Sequence, residues 1–327
     1  MHRKNRFQNA VRILSTAVVI VISAEISTAQ TIPTIGYVAN ETANPERLEI
    51  LKKGLADLGY VDGKSIAIEH KTARLDSEYA AVMAELVARK VNIIVAANAP
   101  AAIAARKTTS TLPIVIAVVN DPVGLGLVNS LERPDTNVSG TTNYAPHLIA
   151  ERLHLLRKIV PTVGKVAMIL NGNNANNPAQ FSLLSAAAQL LGIGVQQFDV
   201  RTLADTERAF AQAATSGAQG LFNGVDSFIN SQRFAMAKLA VQHKLPMIYT
   251  DREYVLAGGL MSIGVGHQEG FYGAAKYVDL ILRGANPADL PVAATKSVDF
   301  SVSRAALDRS GLTLPKEVSE RVNDWLN

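Results

Sequence analysis

Val91-Asn92-Ile93-Ile94-Val95-Ala96-Ala97-Asn98-Ala99-Pro100 is a short apolar, β-branched run that ends in small residues, an asparagine and a proline. Such a run reads as a strand buried on both faces, as in a parallel sheet. Pro100 stands where a first helical turn tolerates proline, and Ala101-Ala102-Ile103-Ala104-Ala105-Arg106 has strong helix propensity. The stretch therefore predicts a strand feeding a helix, with free N–H groups at the carboxyl edge of the sheet. That end of a helix attracts carboxylates and phosphates.

The same alternation runs through the chain. Residues 32–38 read as a first strand, followed by the polar loop Asn40-Glu41-Thr42-Ala43-Asn44-Pro45. Leu48, Leu51, Leu55 and Leu58 recur at helical spacing over residues 46–58, and Gly59 closes that helix. Strands follow at 65–70 and 114–119, with a helix capped by Asp76 or Ser77 between the first of these and the opening stretch. Beyond Gly164 the order repeats: strand 166–170, a loop Asn171 to Pro178, a helix from 179, and strand 195–200. A helix after Asp205, a short strand at 220–223, a helix opened by Asp226-Ser227 and a strand at 247–250 complete it.

Two landmarks test the repeat. Leu58-Gly59 and Leu191-Gly192 lie 133 residues apart, and so do Leu112-Pro113 and Leu245-Pro246. A shared offset and a shared element order predict two similar α/β lobes, each a doubly wound parallel sheet. Ligand loops in such sheets lie at the carboxyl ends of the strands. The expected fold is thus two doubly wound lobes with a ligand cleft between them. The expected division is a lobe over 30–145, a second over 146–265, and return segments over 266–327 that cross between the lobes.

Composition bounds the function. Arg3, Lys4, Arg6 and Arg12 precede an apolar run at 13–22, and Ser27-Thr28-Ala29 supplies a small-x-small cleavage site. Residues 1–29 therefore read as a cleaved signal peptide, with the mature chain starting at Gln30. Their removal takes away four basic residues and one acid, so the formal charge falls from +4 to +1. The basic balance belongs to the leader, and nucleic acid is not an expected partner. The absence of cysteine from all 327 residues excludes disulfides, thiolate catalysis, zinc–thiolate sites and a lipid-modified cysteine. These features predict a free periplasmic protein.

Catalytic signatures are missing: no G-x-S-x-G elbow, no H-E-x-x-H and no phosphate-binding G-x-x-x-x-G-K-[ST] occurs. His70, His147, His154, His243 and His267 are scattered without metal-ligand spacing. No catalytic residue, metal or cofactor is expected, and the chain does not read as an enzyme. Binding groups are plentiful at the strand ends: Asn40, Asn98, Asp121, Asn143, Asn171, Asn173, Asp226, Ser227 and Asp251, with the helix start Ala99-Pro100-Ala101. Amides and backbone N–H groups suit a small polar ligand, and Asp121 or Asp226 suits an ammonium. Tyr37, Tyr144, Phe228 and Tyr254 are candidates to pack against an apolar ligand group. Asp251-Arg252-Glu253 reads equally as an internal ion pair or as ligand-contacting groups. Trp325, the single tryptophan, reads as packing.

Gly59-Tyr60-Val61-Asp62-Gly63, Ala97-Asn98-Ala99-Pro100-Ala101-Ala102, Asn120-Asp121-Pro122-Val123-Gly124 and Leu245-Pro246-Met247-Ile248-Tyr249 together resemble the ABC-transporter substrate-binding family. Ala257-Gly258-Gly259-Leu260-Met261-Ser262 and Gly284-Ala285-Asn286-Pro287-Ala288-Asp289-Leu290-Pro291 extend the resemblance over nearly the whole mature chain. The chain is similar to the group that includes tryptophan- and tyrosine-binding receptors of the type I periplasmic binding fold. The resemblance implies a monomeric receptor that closes on a small organic solute and delivers it to an inner-membrane ABC permease. The solute would be an amino acid, aromatic ones included, or a related organic acid. A ligand-sensing receptor serving a signalling protein is the alternative. Many members carry a hydroxyl residue where this chain has Ala99, so backbone N–H groups near Ala99 to Ala101 become the expected carboxylate contact. Ser297 likewise departs from the aromatic or aliphatic residue common there.

Overall fold

A computed structural model describes residues 32–327; the signal-peptide reading falls on residues outside that range. The opening stretch forms β3 (Ile93–Ala96) in a first sheet built from β1 (Thr34–Asn40), β2 (Ala67–Ala73), β3, β4 (Ile114–Ile116) and β5 (Val138–Thr142). Its order is 2-1-3-4-5, and all pairings are parallel. Ile93 and Val95 point into one core with α1 (Glu46–Asp57), while Ile94 and Ala96 point into another with α2 (Asp76–Ala88) and α3 (Ala99–Thr108). Strand residues alternate between faces, so an unbroken apolar run is what a sheet covered on both sides requires. All four side chains are fully buried.

After α4 (His147–Ile159) a second sheet repeats the pattern with β6 (Lys165–Asn171), β7 (Gly194–Val200), β8 (Leu221–Asn223), β9 (Met247–Tyr249) and β10 (Met261–Val265), in the order 7-6-8-9-10. Val166, Met168 and Leu170 of β6 face α4 and α5 (Asn177–Leu190). Ala167 and Ile169 face α6 (Leu203–Thr215) and the region of α7 (Ser227–Ser231) and α8 (Arg233–Gln242). A short α9 (Arg252–Leu256) follows β9.

The chain from His267 onward serves both sheets. Helix α10 (His267–Leu282) leaves β10 and packs on α1, burying Phe271, Ala274, Ala275 and Val278 in the first core. Strand β11 (Ala293–Ala294) then pairs with β5. Strand β12 (Val298–Ser303) returns to the second sheet antiparallel to β10, the one antiparallel pairing among the described strands. Helices α11 (Arg304–Ser310) and α12 (Lys316–Ser319) and strand β13 (Asp324–Leu326) close that sheet. Trp325 on β13 packs beside the second core with the Arg304 guanidinium 4.2 Å above its ring.

Strand β5 is the element that local reading hides. Gly140 sits in its middle at φ +131°, where a Cβ would stand 2.1 Å from the Ile116 carbonyl oxygen of β4. Glycine normally weakens a strand; here the close approach of β4 requires it.

Candidate functional site

The carboxyl ends of both sheets face one cavity of about 490 Å³. Loops after β1, β3 and β4 line it from the first lobe, and loops after β6, β8 and β9 from the second. The volume lies in the range of small-molecule sites. Leu148, Ile149, Ile103, Leu125 and Leu183 supply apolar wall, and Tyr144 and Tyr254 also line it. Tyr37 lies instead in the first core, and Phe228 packs against the second.

Ten of the twelve residues expected at the site line this cavity: Asn40, Asn98, Ala99, Pro100, Asn143, Asn171, Asn173, Asp226, Ser227 and Asp251. Ala101 and Asp121 do not. Asn98 is the N-cap of α3: its Oδ1 accepts the Ala101 N–H at 2.8 Å, and its Nδ2 donates to the Tyr79 hydroxyl at 3.0 Å. The Ala101 N–H, one of the groups near Ala99 to Ala101 expected to hold a carboxylate, is therefore used inside the helix cap, and Ala101 is fully buried. Asp121 folds onto its own turn, accepting the Gly124 N–H at 2.9 Å.

Most of the remaining polar side chains are also tied to one another. Asp226 caps α7 through the Ile229 N–H at 3.0 Å and accepts from Asn171 Nδ2 at 3.1 Å and Asn174 Nδ2 at 2.8 Å. Asn40 Oδ1 accepts from the Thr42 hydroxyl and N–H. Asn173 Oδ1 accepts from Arg201 Nε at 3.2 Å. These contacts stiffen the loops that form the walls. Val118 adds a strained element: it lines the cavity at φ +61°, rare for a β-branched residue.

The triplet Asp251-Arg252-Glu253 divides. Arg252 turns away to Asp324 at 2.7 Å, while its neighbours face Arg47 of the other lobe. Arg47 places Nη2 2.7 Å from Glu253 Oε1 and 3.9 Å from Asp251 Oδ2. His267 Nε2 lies 2.9 Å from the same Asp251 oxygen. Burial pushes the Asp251 carboxyl upward, yet His267 and Arg47 outweigh it and hold that group well below the usual carboxylate range. Asp251, Glu253 and His267 bring donor atoms within 4.8 Å of one another, a set that could take a divalent cation. The Arg47 guanidinium already supplies positive charge there.

Arg152 of α4 was not among the expected residues. It is 5% exposed and lines the cavity, and burial pushes its guanidinium down to about 10, still charged at neutral pH. Arg47 and His267 line the cavity too and were equally absent from the expectation. For Arg152 a signal existed: it lies four residues from both Leu148 and Leu156, on the apolar stripe of its helix.

Two facing α/β lobes with strand-end loops around a shared cavity define a type I periplasmic-binding architecture. The chain belongs to the ABC transporter substrate binding protein family, whose model matches residues 35–325. It is 29% identical to the Tyrosine-binding protein of Clostridioides difficile strain R20291 over 256 residues, which are 78% of this chain and 73% of that one. The crystal structure of a conserved domain protein from Vibrio cholerae O1 biovar El Tor superposes with TM-score 0.83 at 26% identity, covering 90% of this chain and 99% of the other. An ABC domain from Streptococcus pneumoniae in complex with L-Trp has TM-score 0.83 at 24% identity, covering 90% and 100%.

Proposed function

We propose that the protein is the periplasmic substrate-binding component of an ABC importer, monomeric, exported by removal of residues 1–29. Its solute is an amino acid, with aromatic ones included, or a related organic acid. The observation that carries this reading is the cavity of about 490 Å³ enclosed by strand-end loops of both lobes, with apolar wall and amide groups together. The tyrosine-binding relative and the tryptophan-bound neighbour support the amino-acid class. Binding would proceed by closure of the lobes on the solute, and the closed form is what a permease would recognise. The contacts that join the lobes across the cleft include Arg47 to Glu253 and Asp251, and Arg233 Nη2 to the Thr42 carbonyl at 3.1 Å. The solute is held and released unchanged.

Native mass spectrometry of the freshly purified mature chain, followed by calorimetric titration with amino acids and aromatic acids, tests the reading. One-to-one binding without turnover is expected. Conversion of the bound solute to a product would overturn it, and silence across the panel would remove the amino-acid class.

A further inference from the structure

We propose that Arg152 is the anion anchor of the cleft, so that the solute carries a carboxylate which its guanidinium grips. The inference rests on the receptor reading above and specifies the chemistry of its ligand.

Arg152 lies on the buried side of α4, flanked by Leu148, Ile149 and Leu156, yet it lines the cavity. Its Nε donates to the Ile263 carbonyl at 2.9 Å, and this is its sole polar contact among the described residues. Both Nη groups are left for a ligand, and no described carboxylate forms an ion pair with it. Arginine is almost never this buried without a partner, because an unpaired charge away from water costs several kcal/mol. The other buried or half-buried charges of the cleft are answered within the protein: Arg47 by Glu253, Asp251 by His267, and Asp226 by Asn171 and Asn174. Lys107 also lines the cavity but is exposed to water. The unanswered buried charge of the cavity is positive.

Gln180 adds a second donor. Its Oε1 accepts the Val225 N–H at 2.7 Å, which fixes the amide so that Nε2 is the remaining end. That Nε2 is buried, has no partner, and belongs to a residue lining the same cavity. The Arg152 Nη groups and the buried Gln180 Nε2 lack acceptors, which points to acceptor oxygens that arrive with the solute, while the buried Asn143 Oδ1 of the same cavity is left for a donor on it. A guanidinium pairs with a carboxylate through two parallel N–H bonds. One guanidinium in a cavity also lined by the apolar Leu148, Ile149, Leu183 and Val265 suits a monoanion on a hydrocarbon body better than a phosphate or sulfate.

Thermal melting and titration with matched probes decide the matter. L-tyrosine, L-tryptophan and 4-hydroxyphenylacetate carry the carboxylate; tyramine and L-tyrosinamide do not; sulfate and phosphate test inorganic anions. Carboxylate probes are expected to raise the melting temperature, with tyramine and tyrosinamide inert. Arg152→Met should weaken the carboxylate probes by roughly 30-fold or more. The same variant should melt, without ligand, no lower than the wild type, since an unpaired buried charge is gone. Arg152→Lys should keep part of the affinity, and Arg152→Gln covers the case in which the methionine variant does not fold. Tyramine binding as tightly as tyrosine, wild-type affinity for a carboxylate in Arg152→Met or Arg152→Gln, or a response to sulfate or phosphate alone would each overturn the assignment. If a neutral or cationic solute binds, the carboxylate inference fails while the receptor reading stands. If no probe binds and no solute co-purifies, both fail.

Discussion

Arg47 and Glu253, 206 residues apart in sequence, meet across the cleft with both Arg47 Nε and Nη2 on one carboxylate oxygen, at 3.0 and 2.7 Å. Arg47 comes from α1 of the first lobe and Glu253 from α9 of the second, with side chains 15% and 9% exposed. A contact made between lobes stabilises only the arrangement in which they are together. Arg47→Ala should therefore populate the open form, seen as a larger radius of gyration in solution scattering of the ligand-free protein. Affinity should fall roughly tenfold, less than for a permanently buried pair because opening returns Glu253 to water. A variant with wild-type scattering and affinity would remove the latch.

Asp251 makes the acid limb of the stability curve specific. Its folded-state pKa is depressed by His267 and Arg47 in spite of burial. A depressed carboxylate contributes stability that is present above its unfolded value, about 3.9, and is lost as pH falls toward the folded value. Asp251→Asn should lower the melting temperature at neutral pH, and the gap to the wild type should shrink steadily below about pH 4. A gap that is constant from pH 7 to pH 2.5 would refute the pairing.

How much of this was legible in the sequence depends on the range of the interaction. β3 was legible because an unbroken apolar run admits few other readings. The repeat was legible because β4 and β9 start at Ile114 and Met247, 133 residues apart, and the two sheets share one strand order. Asn98 was found as a strand-end amide, but its part in the fold was not: its side chain caps α3 and holds Tyr79, leaving one N–H and one lone pair on the cavity side. β5 was missed because Gly140 looks like a break until β4 is placed beside it. Arg152 was missed because a charge on an amphipathic helix is assigned to solvent by default, although its place between Leu148 and Leu156 already put it on the apolar stripe. The contact from Arg47 to Glu253 has no local signature at all.

The cap at Asn98 separates stability from binding. Asn98→Ala removes the acceptor for the Ala101 N–H and the donor to Tyr79, in a buried setting. A loss of about 1–2 kcal/mol is expected, read as a lower urea midpoint at unchanged slope. Solute affinity measured well below the melting temperature should change little. A large loss of affinity with normal stability would return Asn98 to the role of ligand contact.

Thr141 holds the strained wall of the cavity. Its hydroxyl accepts the Val118 N–H at 3.1 Å and donates to the Gly270 carbonyl of α10 at 3.1 Å, joining the β4 loop to the first turns of the crossing helix. Val118 keeps φ +61° under this tie, a conformation that costs on the order of 1–3 kcal/mol. Gly270 leaves room for it, since a Cβ there would stand 2.5 Å from Val118 Cγ2. Thr141→Val preserves shape but strands the buried N–H and carbonyl, at about 1–3 kcal/mol. Relief of the Val118 strain offsets part of that loss by moving the cavity wall. The variant should therefore show a modest drop in melting temperature together with a clear drop in solute affinity, whereas Thr141→Ser should restore both. Equal affinity in Thr141→Val and the wild type would mean that the wall keeps its shape without the hydroxyl, and that the strain at Val118 is held by packing against Gly270 instead.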